Sequence, residues 1–185
     1  MSLSLVLHTD RMRLIPLRID HCDWIHQLHL LPEIAQYNTI GTPKNREATR
    51  AVLAKRLDAK SPDHLGWILL NSADQFLGEM GMQLAPRRFQ KAEISYSIHP
   101  RFWNQGFATE AVKKIIQWGF EVLPLHRIEA GVAVTNTASI RVLEKAGMVR
   151  EGRHRKILPL ASGWTDNYSY AVLDENLSAE KERLS

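Results

Sequence analysis

The chain has 185 residues, 44% of them hydrophobic, which is material for one packed core and one compact domain. Its net charge of +4 is dispersed, which argues against a nucleic-acid surface, and no apolar run reaches the length of a membrane span. A lone cysteine, Cys22, excludes an internal disulfide and, with no apolar signal core at the amino terminus, leads us to expect a cytoplasmic protein.

In chain order, "RMRLIPLR" (11–18) alternates apolar and basic residues and reads as a first strand. Asp20 is expected to cap a helix through "HCDWIHQLHLL", and "NREATRAVLAKRLDA" (45–59) reads as a second amphipathic helix. "LGWILL" and "QFLGEMGMQL" flank the turn residues "NSAD", which predicts a hairpin. "KAEISYSI" (91–98) follows as a strand, with Ile94, Tyr96 and Ile98 on one face and Glu93, Ser95 and Ser97 on the other. A helix then starts near Phe107, "RIEAGVAV" (127–134) is a strand, and "NTASIRVLEKAG" is a short helix capped by Asn136 and stopped by Gly147. "MVREGRHRKIL" and "WTDNYSYAVL" close the chain as antiparallel strands. The expected class is mixed α/β, a mostly antiparallel sheet with helices on both faces. Residues 1–173 form one domain and the polar stretch 174–185 a tail.

The stretch "RFWNQGFATEAVKKIIQWGF" (101–120) carries the chemistry. A helix that starts just after Gly106 leaves its first backbone N–H groups without intrahelical acceptors, and a glycine in the turn lets a ligand approach them closely. No acidic side chain precedes Glu110 in the first turn of this helix, so the positive helix end is open to a phosphate or pyrophosphate. Neither G-x-G-x-x-G nor G-x-x-x-x-G-K-[ST] occurs, which removes the common dinucleotide and nucleotide-hydrolase loops. By itself an isolated glycine more often just tightens a turn.

"AEISYSIHPRFWNQGFATEA" followed by "NTASIRVLEKAGMVREG" resembles the GNAT N-acetyltransferases, in particular their RimJ/RimL-like branch, and the resemblance runs from about Arg11 to Leu173. It implies a sheet splayed between strands 91–98 and 127–134, with acetyl-CoA entering the gap. Gln105, Gly106, Phe107, Ala108 and Thr109 would hold the pyrophosphate, and Trp103 stands where relatives have Gln or Arg. Ile94, Ser95, Tyr96, Ser97 and Ile98 would pair with the pantetheine as an added strand. Many relatives carry a tyrosine that protonates the departing thiolate, and here that place is Leu143. Ser139, four residues earlier on the same helix face, is the expected substitute, and Asn136 the expected partner of the pantetheine arm. Ser139 and Asn136 also have plain readings as first-turn and cap residues of their helix.

Acyl transfer needs a neutral amine. An α-amine with pKa near 7.8 gives up its proton at pH 7 for about 1 kcal/mol, against roughly 4.6 kcal/mol for a lysine near 10.4. Glu93 is the first candidate base and Glu79, expected on a different face, the second. A structural carboxylate is an equal reading of Glu93. The expected acceptor is a protein N-terminal α-amine, with a small-molecule amine (polyamine, amino acid, aminoglycoside) or a non-catalytic acyl-CoA-binding module as alternatives. No metal, nucleic acid or membrane partner is expected, and the chain would be a monomer or homodimer. Cys22, His26 and His29 share helical spacing but read as a helix face, while His99, Asp166 and Tyr168 are minor substrate candidates.

Overall fold

The computed structural model describes residues 6–39, 41–58 and 63–175. Two strands, β1 (Leu7–His8) and β2 (Met12–Pro16), are followed by helices α1 (Cys22–Leu30), α2 (Pro32–Ala35) and α3 (Arg46–Arg56). Strands β3 (His64–Asn71), β4 (Phe76–Leu84) and β5 (Lys91–Ile98) form a meander. Helix α4 (Phe107–Val122), strand β6 (Arg127–Ala133) and helix α5 (Thr137–Lys145) come next, and β7 (Val149–Leu160) with β8 (Gly163–Leu173) closes the fold. The expected helix end at Ala59 and residues 176–185 of the expected tail lie outside the described residues.

The eight strands make one sheet in the order β1-β2-β3-β4-β5-β6-β8-β7. Every neighbouring pair is antiparallel except β5 and β6, which run parallel and pair at only three positions, Lys91↔Arg127, Ala92↔Ile128 and Glu93↔Glu129. Beyond Glu93 the two strands part. β5 stays with β4, and β6 stays with β8 for seven positions, Arg127↔Leu173 to Ala133↔Asn167. The expected splay is therefore present, and among the described residues the β6-facing edge of β5 from Ile94 to Ile98 has no strand partner.

The main core lies between one sheet face and α4 with α5. Ala111, Val112, Ile115, Ile116 and Trp118 of α4 pack with Trp67, Met80, Met82, Ile94 and Ile128 of the sheet. Burying a side chain such as Ile115 or Ile116 contributes about 1.5–3 kcal/mol. A smaller core under α1 and α3 joins Cys22, Ile25 and Leu53 to Ile68 and Leu70 on the opposite face.

Two local expectations change. Asp20 does not cap α1; it belongs to a short 3-10 turn, Ile19–His21, and its carboxylate accepts from the Arg18 guanidinium at 2.9 Å. A charged partner two residues away outcompetes the neutral backbone N–H groups. Glu79 shares its sheet face with Glu93, because it stands opposite Ser97 in the β4–β5 register while Gln83 stands opposite Glu93. The apolar neighbours of Glu79 in sequence, Met80 and Met82, point into the main core and obscured that phase.

Candidate active site

Alternation along β5 divides a cleft of about 830 Å³ into two halves. Tyr96 looks toward α5, and Glu93, Ser95 and Ser97 look the other way, toward α1 and α3. On the second side Glu79 joins them from β4 and Asn167 from β8, so the splay connects a polar floor with the helix ends on the far face.

Gly106 takes φ +83°, the left-handed region, which turns the chain into α4. The first helical bond runs from the Glu110 N–H to the Gly106 carbonyl at 3.0 Å, which leaves the N–H groups of Phe107, Ala108 and Thr109 without intrahelical acceptors. All three residues line the cleft with Gly106. Glu110 does not occupy this helix end. Its carboxylate is turned to Arg11, whose Nε donates to it at 2.7 Å and whose Nη1 donates to the Gln105 carbonyl at 2.8 Å. Burial raises the Glu110 pKa, but bonds from Thr9 and Arg11 outweigh it and hold the carboxyl below its usual value. Arg11 also lies over the Phe107 ring at 4.6 Å. One arginine near the amino terminus thus neutralises the acid and fastens the loop from behind. These donors, the glycine turn and the bare β5 edge fit a pyrophosphate-bearing cosubstrate such as acetyl-CoA. Gln105 is the exception among the expected loop residues. It does not line the cleft, and its side chain donates to the Arg101 carbonyl at 3.0 Å.

Asn136 caps α5, accepting from the Ser139 N–H at 3.1 Å, and also lines the cleft. The Ser139 Oγ is 2.8 Å from the Tyr96 hydroxyl. Burial pushes the Tyr96 phenol up to about 12, against a smaller downward effect of the Ser139 bond. Leu143, at the place where relatives carry tyrosine, is buried in the core.

Glu93 and Ser139, the two expected catalytic residues, therefore line one cleft from opposite faces. Although solvent reaches Glu93, partial burial and the facing Glu129 raise its pKa, with Lys91 opposing. Both Glu129 oxygens are engaged, one by Lys91 Nζ at 2.9 Å and one by Arg127 Nε at 2.7 Å.

Sequence reasoning missed a third cluster. Glu79, buried on the polar floor, bonds His29 Nε2 at 2.5 Å and Arg56 Nη1 at 3.2 Å, and all three line the cleft. Burial pushes its carboxyl up, but the His29 bond, the His29 charge and Arg56 prevail and lower it. Three elements, α1, α3 and β4, meet there, and no spacing in the sequence links them. The minor candidates lie elsewhere. Asp166 accepts from Arg153 Nε at 2.7 Å, Tyr168 sits 4.6 Å under the Arg150 guanidinium, and the His99 ring accepts from the Arg101 N–H at 3.2 Å. His26 bonds Thr49 at 2.8 Å, and among the described residues no group of three His, Cys, Asp or Glu side chains could hold a metal.

Comparisons with known proteins agree with this geometry. Residues 11–149 match the family described as Acetyltransferase (GNAT) domain. The probable N-acetyltransferase YjcK of Bacillus subtilis is 32% identical over 167 residues, covering 90% of each chain. Among solved structures, the spermidine N-acetyltransferase of Vibrio cholerae, in complex with CoA and spermine, superposes with a TM-score of 0.81 at 19% identity, covering 90% of this chain and 98% of its own. RimL, a ribosomal α-N-protein acetyltransferase in complex with coenzyme A, gives a TM-score of 0.81 at 18% identity, covering 91% and 97%. The last two show the shared fold. With a matched family spanning most of its length and a relative 32% identical over 90% of each chain, the chain belongs to the GNAT acetyltransferases and is an acetyl-CoA-dependent N-acetyltransferase.

Proposed function

We propose that this enzyme acetylates a protein N-terminal α-amine, as a cytoplasmic member of the RimJ/RimL-like branch, with residues 1–173 as its catalytic domain. The observation that carries the reading is the state of the acceptor-side carboxylates. Glu79 is already balanced by His29 and Arg56, so the floor offers little net negative charge to a polycation such as spermidine. Glu93 remains as a base whose raised pKa suits an amine that loses its proton cheaply.

Acetyl-CoA supplies the activated acyl group. The β5 edge and the N–H groups at Phe107–Thr109 bind and orient it, and Asn136 holds its arm. Glu93 takes the proton of the incoming ammonium, directly or through water, and the amine attacks without a covalent acyl-enzyme. Ser139 donates its hydroxyl hydrogen bond to the departing sulfur. Thiol release from acetyl-CoA across N-terminal peptides, polyamines, amino acids and aminoglycosides tests the acceptor. Turnover highest with peptides upholds it, and turnover confined to spermidine or spermine overturns it in favour of a small-molecule enzyme. Replacing Ser139 with Ala tests the sulfur role, which unchanged turnover would remove.

A further inference from the structure

The Tyr96 hydroxyl lies 2.8 Å from the Ser139 Oγ and 3.4 Å from the Ser139 carbonyl, and both side chains line the cleft. Two hydroxyls at this distance share one hydrogen, and the other hydroxyl hydrogen must find its own acceptor. If Ser139 were the donor, the Tyr96 hydrogen would be left with the Ser139 carbonyl, a 3.4 Å contact at the edge of hydrogen-bond range. If Tyr96 is the donor, the half-buried phenol is satisfied at good length and the Ser139 hydrogen is released toward the cleft. Length decides between them, because the 2.8 Å contact satisfies the Tyr96 hydrogen while the cleft gives the Ser139 hydrogen a ligand to meet.

We propose that Tyr96 is the positioning residue that turns the Ser139 hydroxyl toward the leaving sulfur, so that a two-hydroxyl device on β5 and α5 replaces the single tyrosine absent at Leu143. This rests on the sulfur role of Ser139 given above. With its proton held up to about pH 12, Tyr96 does not ionise in the cycle; it donates to Ser139 throughout. The C–N bond forms at the acetyl carbon and the C–S bond breaks with its electron pair going to sulfur. Of the two protons the acceptor ammonium sheds, one leaves through Glu93 and the other, from the nitrogen once it has bonded to carbon, ends on sulfur. Ser139 stabilises the sulfur charge in between by a hydrogen bond and keeps its own proton.

Tyr96→Phe keeps the ring and removes the donor. We expect kcat to fall about tenfold, a hydrogen bond's worth, with the Michaelis constant for acetyl-CoA unchanged and the melting temperature lowered by no more than about 2–4 °C. Made in a Ser139→Ala background, the same change should cost nothing more. A second readout needs no turnover. The ultraviolet absorbance of bound CoA thiolate should appear at higher pH in Tyr96→Phe than in the native enzyme, and at the same pH in Ser139→Ala with or without Tyr96. Native turnover and native thiolate titration in Tyr96→Phe, with both altered in Ser139→Ala, overturn the role of Tyr96 alone. Both single variants behaving as native overturn the sulfur role of Ser139 as well.

Discussion

Glu93 and Glu129 stand opposite each other in the last of the three register pairs that join β5 to β6, at the point where the strands part. Glu129 is held charged by Lys91 and Arg127, so its field falls on Glu93 from a fixed direction.

Burial and that field raise the Glu93 pKa, so the proposed base becomes protonated above the ordinary carboxylate value of 4.5. Turnover should therefore fall as pH drops toward that range, and Glu93→Gln should lose about 100-fold in kcat and flatten this limb. The stability effect has the opposite sense. A carboxyl with a raised folded pKa binds more protons folded than unfolded, so its contribution declines as pH rises through the interval between the two values. Glu93→Gln should be at least as heat-stable as the native enzyme at neutral pH. A variant that melts earlier with unchanged kcat would mark Glu93 as structural. Kinetic pH profiles and thermal melts check both.

Glu79 ties α1 and α3 to β4 through His29 and Arg56. Removing it in Glu79→Ala strands the facing Arg56 and leaves a small cavity, for a loss of about 3–5 kcal/mol by urea unfolding. Its folded pKa lies below the ordinary 4.5, so its stabilising contribution is present above that value and fades as pH falls through the folded one. Native enzyme should lose heat stability on acidification below 4.5, and Glu79→Gln should show less of that loss.

Gly106 reaches φ +83° at the start of α4, and a Cβ there would come within 3.2 Å of Arg11 Nη2. Gly106→Ala would place a side chain in a conformation that costs about 1–2 kcal/mol and press on the arginine that fastens the loop. CoA should bind roughly tenfold more weakly by calorimetry, while the circular dichroism of the sheet stays native.

Gly119 lets α4 settle onto the sheet, since a Cβ there would meet Ile128 Cδ1 at 2.9 Å and Met82 Cε at 3.2 Å. Gly119→Val should destabilise by about 1–3 kcal/mol through overpacking, measured by denaturant midpoint. An unchanged midpoint would mean that the helix shifts at little cost.

The glycine turn that opens α4 was legible because its physics is local: a glycine, a following apolar helix and no early acid can be read along the chain. The same holds for the Asn136 cap and for the two faces of β5, since capping and strand alternation act within a few residues. The surroundings of Gln105 could be read only in part. Arg11 takes its carbonyl, and its side chain folds back on Arg101. Glu79 was assigned the wrong face because two methionines beside it pointed into the core, and only the pairing with β5 fixes its phase.

Backbone chemistry set by short stretches was therefore determined by the sequence itself: the longer helices and strands, the glycine turn, the polar face of β5 and the family to which they point. Tertiary structure alone decided the groupings. It set Tyr96 against Ser139 across 43 positions of chain, His29 and Arg56 against Glu79, and Arg11 behind the loop at Gln105. Side-chain bonds of this kind depend on distances that chain spacing does not encode, because folding brings together residues whose separation along the backbone carries no periodic trace.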